Sequence, residues 1–415
     1  MDQAATAPNT IKDRRTFIVL AIAFAALAPV AVYARLGIVA LLVLTPVAQP
    51  CWDATKATLL RLARNPLLWI GAAFTLWAAV TLLWTPEPDL IDVPRAAIVP
   101  LMGLLLVAAV RELPLTDAER LTKIVVASAF VMLALLGLEV LSKGALLRLV
   151  VPTPDVIAPG QVSPVVEHAA RGAAVIAPLT YAYAYLIAAR AGRARTALLF
   201  IVAAFLVCKA TSMDAAWVAI LAGGIAFGAA TYAPRAALVG LFSGLMLYAA
   251  AAPTISTYVL TLDGIDNLAA PGMSGTYSRI GIWQEAARRI AEHPFIGHGF
   301  DATRVLGAQT GLIPGTPWPA LPLHTHNAFL QVWLELGGVG IALVIAMLAA
   351  GARILWPLAA RPLALAVVLA TLTSTAVVAL ISFGIWQHWW LATWMFGAAM
   401  LQLALRIPLR VLTPR

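Results

Sequence analysis

With 415 residues, 62% of them hydrophobic and only 11% charged, the chain lies far from a soluble domain, which is about 25% charged and 45–50% apolar. Its net charge of +9 would suit a nucleic-acid binder, but the basic residues here sit between apolar runs of about 17–25 residues, each long enough to cross a bilayer. The composition therefore excludes a soluble enzyme or nucleic-acid module and reads as a polytopic membrane protein. Its spans must be helices, because every backbone polar group has to be paired inside the bilayer.

In chain order the sequence predicts an all-α membrane domain over 1–415 with about twelve spans. They run roughly 16–34, 36–50, 66–84, 96–110, 121–141, 171–189, 196–211, 215–232, 236–252, 327–350, 362–383 and 389–405. The basic N-terminus (Lys12, Arg14, Arg15) precedes the first span with no small-residue cleavage site, so it reads as a cytoplasmic tail and not as a removed signal. Alternate loops then collect basic residues, among them Lys56, Arg61, Arg64, Arg111, Arg120, Lys123, Arg190, Arg193, Arg195, Arg235, Arg353 and Arg361. This bias sets those loops and both termini on the cytoplasmic side. All six histidines, His168, His293, His298, His324, His326 and His388, then face the other side, together with Arg35, Arg95, Arg171, Arg279, Arg288, Arg289 and Arg304. The chemistry is expected there. Cys51 and Cys208 fall on opposite sides and form no disulfide framework.

Two outer connections are long. The first, about 142–170, is rich in Pro and Gly and ends at Arg171. The second, about 253–325, between the ninth and tenth spans, is far longer than ordinary linkage requires. Within it SRIGIWQEAARRIAEHPFIGHGF predicts a helix with Ile282, Ala286 and Ile290 on one face, stopping near Glu292 because His293 precedes Pro294.

The stretch HTHNAFLQVWLELGGVG, His324 to Gly340, follows that loop. Helical spacing would put His326 and Gly337 nearly on one face, with Gly337 and Gly340 giving another helix room to approach. Histidine changes charge near neutral pH and suits proton transfer. Arginine forks bind phosphate bidentately and keep their charge, so Arg171, Arg279 and Arg288 are candidate phosphate ligands, against the plainer reading of headgroup contact. Glu335, nine residues from His326, falls on the opposite face and reads as part of a polar network. Trp386, Trp389 and Trp390 read as an interfacial aromatic belt, with His388 able to face the site. No Asp-x-Asp pair is present; Asp89/Asp92 and Asp263/Asp266 read as solvated loop residues, and His324-Thr-His326 alone is a weak zinc pattern. No metal or other cofactor is expected.

His326-Asn327, nine residues, Gly337, two residues, Gly340 resembles the signature of the O-antigen ligase and O-antigen polymerase superfamily. SGTYSRIGIWQEAARRIAEHPFIGHGF is similar to the segment that precedes it there, and HAARGAA around Arg171 and GIWQHWW around Trp386 are more similar to the ligase branch. One departure is Ser212-Met213-Asp214, where many members carry Ser-Arg. The resemblance implies a glycosyltransferase of the bacterial inner membrane with a periplasmic active site. It would move glycan from undecaprenyl diphosphate to a sugar hydroxyl of lipid A–core, without metal and with inversion. It implies His326 as catalytic residue, and Arg171 and Arg279, with Arg95 and Arg288, as the diphosphate clamp. His168, His324, Asn327 and His388 are the further candidate substrate contacts. Partners would be the lipid-linked glycan, lipid A–core and membrane lipids, with no nucleic acid. An O-antigen polymerase or a protein O-oligosaccharyltransferase would share the donor and differ in acceptor. A transporter or flippase for the lipid-linked glycan is the reading from another class. It predicts broken midplane helices and a repeated half, neither of which is clear in the sequence.

Overall fold

The computed structural model describes residues 11–45, 63–150, 164–191, 194–211, 213–260, 274–314, 316 and 318–407. Among them the regular structure is helical, apart from one isolated bridge between Leu312 and Pro319. The helices are α1 (Ile11–Tyr33), α2 (Gly37–Val43), α3 (Pro66–Thr81), α4 (Asp92–Glu112), α5 (Leu115–Leu141), α6 (Leu147–Val150), α7 (Pro164–Ala191) and α8 (Ala194–Ala210). After them come α9 (Asp214–Tyr232), α10 (Pro234–Tyr258), α11 (Ser274–Glu292), α12 (Thr303–Ala308), α13 (Ala328–Leu355), α14 (Pro362–Ile381) and α15 (His388–Arg406).

Eight of the described helices are long and apolar enough to cross a membrane, which makes this an all-helical, multi-pass membrane protein. The expected count of twelve is not reached on that criterion. At 1.5 Å per residue the seven-residue α2 covers only about 10 Å of a bilayer core of about 30 Å, and residues 46–50 of the second predicted span lie outside the described residues. The apolar α3, of 16 residues, is also short of that length. Cys51, the pair Asp263/Asp266 and Ser212 lie outside the described residues, whereas Cys208 is a buried free thiol.

The centre of the bundle is α7. Its membrane window is 89% buried inside the protein, against 39% for α1 or α4, because α1, α5, α8, α9, α14 and α15 all pack on it. Small residues permit the closest pairing, that of α9 with α14. A methyl group on Gly223 of α9 would meet Ser374 and Tyr181 side chains, and hydroxyls bond to α9 from both neighbours: Ser374 Oγ of α14 donates to the Ala219 carbonyl at 2.8 Å and Tyr181 Oη of α7 to that of Ile220 at 2.5 Å. Close backbone approach with hydroxyl bonding is how helices adhere where lipid removes the hydrophobic drive.

A second core lies under the long loop. As predicted, α11 ends at Glu292 and buries Ile282, Ala286 and Ile290; these pack with Leu330, Val332 and Leu334 of α13 and with Ala249 and Ala252 of α10. The loop helix is thereby fixed to the bundle at the point where α13 begins.

Candidate active site

The start of α13 is built by Asn327. Its backbone is extended (φ −147°, ψ 113°), and its side-chain oxygen accepts from the amides of Phe329 and Leu330 at 3.0 and 3.2 Å. This is an N-cap, the role for which a short amide at a helix start is suited. The side-chain amide nitrogen donates to Tyr248 Oη of α10 at 2.6 Å, and the side chain is fully buried. Asn327 therefore holds the helix start and is not placed to touch a substrate.

His326 precedes the helix. Its φ of 55° is left-handed, a conformation that costs a non-glycine residue on the order of 1 kcal/mol. The helical spacing from His326 to Gly337 consequently does not apply. Several bonds hold the strained residue. Its amide donates to His324 Nδ1 at 3.3 Å, its Nδ1 pairs with the Ser382 carbonyl at the end of α14, and the neighbouring Thr325 carbonyl accepts from Trp283 Nε1 of α11 at 3.0 Å. The His324 and His326 rings lie 4.2 Å apart at 62°. A carbonyl only accepts, so Nδ1 of His326 carries the hydrogen and Nε2 keeps its lone pair. Burial pushes the His326 imidazolium down to about 4; the Ser382 carbonyl opposes this and the Arg279 guanidinium adds to it. His324 is pushed to about 3 by burial, then by His326 and Arg304. Both rings are neutral at neutral pH, and His326 is half-buried.

α13 is broken at its tenth residue. Gly337 has φ 64° and ψ −165°, a region reserved almost wholly for glycine. The break frees backbone groups on both sides, and the turn after α11 takes them up. The amides of His298 and Gly299 donate to the Leu334 and Glu335 carbonyls, both at 2.9 Å; those of Gly338 and Val339 donate to Pro294 and Phe295 carbonyls at 2.9 and 3.2 Å. Trp77 Nε1 of α3 donates to the Leu336 carbonyl at 2.9 Å. Gly297 and Gly337 abut: a methyl on Gly297 would enter the Glu335–Gly337 backbone, and one on Gly337 would enter that of Phe295–Gly297. The expectation of a neighbouring helix at these glycines is thus corrected: an irregular turn packs at Gly337, and at Gly340 the neighbours are Leu336 and Val332 of the same helix. The sequence reading without a broken helix is corrected with it.

Beneath the break lies Glu335, fully buried. It accepts from Thr303 Oγ1, from Trp386 Nε1, from Gln331 Nε2 at 3.2 Å and from the Asp301 amide at 3.2 Å, the polar network expected of it. Gln331 in turn accepts from the Ile385 amide at 3.0 Å. The network therefore grips the 382–388 connection whose Ser382 carbonyl orients His326. Trp386 is part of that grip, and Trp389 and Trp390 are buried within the protein, at 4% and 0% exposure. The interfacial-belt reading is corrected accordingly.

The arginines separate into groups. Arg279 lies within Coulomb range of His326 and of Asp214, so the acidic departure at the start of α9 is within electrostatic reach of a candidate phosphate ligand. Arg171 pairs with Glu167 one turn earlier on α7 and feels the like charge of Arg35, whose guanidinium sits 6.0 Å from the Trp389 ring. His168 lies on the same first turns of α7. Arg95 is exposed and paired with Asp92 and Asp89 at 3.4 and 4.0 Å; His388 lies within range of Asp92, Arg95 and Arg304. Arg288 is nine residues from Arg279, a half-turn away around α11, and binds Glu285 and Glu292 at 2.6 and 2.8 Å. It is not grouped with the histidines. Among the described residues no cluster of three or more His, Cys, Asp or Glu is arranged to hold a metal ion. Sequence reasoning missed Tyr248, Gln331 and the Ser382 carbonyl, the last of which has no side-chain signal. It also missed the cap role of Asn327, for which an Asn just before an apolar helical run was the available sign.

Residues 181–345 match a family model described as O-antigen ligase. The chain is also similar to proteins named "Putative polysaccharide ligase" in three Rickettsia species. It is 24% identical to that of R. conorii, over 57% of each chain. It is 28% identical to that of R. bellii, over 47% of this chain and 48% of the relative, and 24% identical to that of R. felis, over 86% of each. The similarity spans only about half the length of the first two. The match runs from α7 into α13 and takes in the broken helix and its stitched turn, and the likeness to the R. felis protein runs along most of both chains, so what the chain is similar to is O-antigen and polysaccharide ligases.

Proposed function

We propose that the protein is an O-antigen ligase. It transfers glycan from undecaprenyl diphosphate to a sugar hydroxyl of lipid A–core at the periplasmic face of the bacterial inner membrane. The observation that carries the reading is the bond between His326 Nδ1 and the Ser382 carbonyl: it leaves Nε2 of a half-buried imidazole, on a strained backbone, to accept a proton within Coulomb range of Arg279. The acceptor hydroxyl oxygen attacks the anomeric carbon, its proton passes to His326 Nε2, and the bond from that carbon to the diphosphate oxygen breaks with inversion. Arg279 and Arg171 meet the charge that develops on the leaving diphosphate, where preorganised donors matter most. No metal ion takes part in this scheme.

A base at about 4 is weak at neutral pH, whereas proton transfer is best served by a base near the working pH. The donor supplies the correction. Its diphosphate brings negative charge near Arg279, which opposes the guanidinium, the smallest of the influences on His326, and shifts the imidazole upward while burial still holds it down. The histidine is then a stronger base with the donor bound than in the empty site. His324 backs the His326 amide, Asn327 and the Glu335 network position the ring, and His168, His388 and Arg95 line the approach.

The test is His326→Ala in purified, reconstituted protein. Transfer should fall by about 10²–10⁴, the usual contribution of a general base, while the melting profile and donor binding stay close to wild type. Retained transfer would remove His326 from the chemistry. A polymerase or protein glycosylating enzyme would use the same residues with another acceptor, and the acceptor assay separates them.

A further inference from the structure

The face of α11 turned away from Arg279 is unused by this scheme, and it is not featureless. A cavity of about 470 Å³ lies there, between α11 and residues 309–314. Gly281, Gln284, Glu285 and Arg288 line it from the helix, at the spacing of one helical face. Gln309, Thr310 and the exposed backbone around Gly311 line the other side. Gly281 forms part of the wall because a side chain there would press on Ile313.

The chemistry of the lining is specific. Two arginines face the cavity, yet Glu285 holds both, Arg288 at 2.6 Å and Arg289 at 3.1 Å, and Glu292 binds both as well. Two cations against two carboxylates leave no net charge to attract a phosphate. What remains is the side-chain amides of Gln284 and Gln309 and fixed charged donors and acceptors on a partly apolar floor, the Thr310 hydroxyl being already bonded to the Gly307 carbonyl and the Leu321 amide. That combination suits a ligand with many hydroxyls and apolar C–H faces. The opposite face of the same helix reaches the catalytic region through Arg279 and through the Trp283 bond to Thr325, next to His326.

We propose that this cavity is a sugar-binding subsite, which takes uncharged sugar residues of a glycan chain at a distance from the bond being made. The proposal rests on the reading of the protein as a glycan transferase and adds a place where the chain, and not its diphosphate end, is recognised. The donor glycan or the sugar portion of the acceptor would meet the same groups.

Two measurements on the full-length protein in nanodiscs test it. In the first, glycan released by mild acid from the lipid-linked pool of the producing cells, and so lacking lipid and diphosphate, is titrated onto wild type, His326→Ala and Gln284→Ala/Gln309→Ala. Saturation-transfer NMR reads binding. Wild type and His326→Ala should bind, and the double variant should bind about tenfold more weakly, the size of one or two lost hydrogen bonds. The His326→Ala arm needs no turnover, so it stands even if the proposed reaction is wrong. In the second, KM is measured for donors carrying one repeat or several. The double variant should raise KM for the longer donor about tenfold with kcat nearly unchanged and leave the one-repeat donor alone. A rise in the KM of the acceptor instead would assign the subsite to acceptor sugar. Equal binding of released glycan by wild type and the double variant, or no binding by either, would overturn the proposal. So would tight binding of free pyrophosphate that is lost in Arg288→Ala, since it would make the cavity an anion site.

Discussion

Gly337→Ala is the perturbation that probes the architecture most sharply. Alanine at φ 64° and ψ −165° occupies a region held almost only by glycine, at about 1–3 kcal/mol. Its methyl group would also enter the Phe295–Gly297 backbone, so the turn must withdraw. Four backbone hydrogen bonds join that turn to the broken helix, each contributing about 1 kcal/mol net. Losing half of them along with the strain gives about 3–5 kcal/mol. Thermal denaturation in detergent, followed by intrinsic tryptophan fluorescence, should show the midpoint fall by on the order of 5 °C or more. Gly240→Ala is the matched control: its added methyl meets open space, and the midpoint should hold. Gly297→Ala breaks the same seam from the other side, so the double variant should lose much less than the sum of the two, as residues sharing one contact do. A wild-type midpoint for Gly337→Ala, or simple additivity with Gly297→Ala, would refute the seam.

The pH dependence of turnover follows from the His326 field. With its folded value near 4 in the free enzyme, kcat/KM should be flat on the acid side down to about pH 5 and fall through about pH 4. The acid limb of kcat should lie higher by about one unit or more, because bound diphosphate raises the imidazole; coincident limbs would contradict the proposed activation by donor. Arg171→Lys should be impaired in transfer although charge is kept, since an ammonium lacks the bidentate fork; normal kcat/KM would take Arg171 out of the clamp. Trp386→Phe should lower stability by about 1–3 kcal/mol, because a buried Glu335 oxygen loses a donor. An unchanged melting midpoint would show that water or another group replaces it.

Much of the local plan is legible in the sequence because it is written in side-chain periodicity. The apolar face of α11 and its stop at the His293-Pro294 step follow from spacing and from proline alone, and the buried network at Glu335 follows from an acid set in an apolar helix. The break in α13 is not legible that way. Leu334, Leu336, Val339 and Ile341 continue an apolar run through it, and hydropathy carries no record of φ. What the break depends on is a partner about forty residues earlier, Gly297, whose backbone replaces the missing helical bonds. The same limit explains Ser382, which acts through its carbonyl, and the tryptophans after it, whose composition suits an interface equally well. Arginines were equivalent by type; only the half-turn between Arg279 and Arg288 and the carboxylates beside the latter distinguish a member of the histidine site from a neutralised wall.

The central claim is tested most directly by reconstitution. Purified wild type and His326→Ala in liposomes receive undecaprenyl diphosphate-linked glycan, with or without lipid A–core, in the presence of a chelator. Glycan should become joined to lipid A–core only with wild-type protein and both substrates, and the chelator should not stop it. Longer lipid-linked chains formed without lipid A–core would mean a polymerase. No new glycosidic bond, with lipid-linked glycan crossing the bilayer equally well in His326→Ala, would contradict the account and establish a transporter.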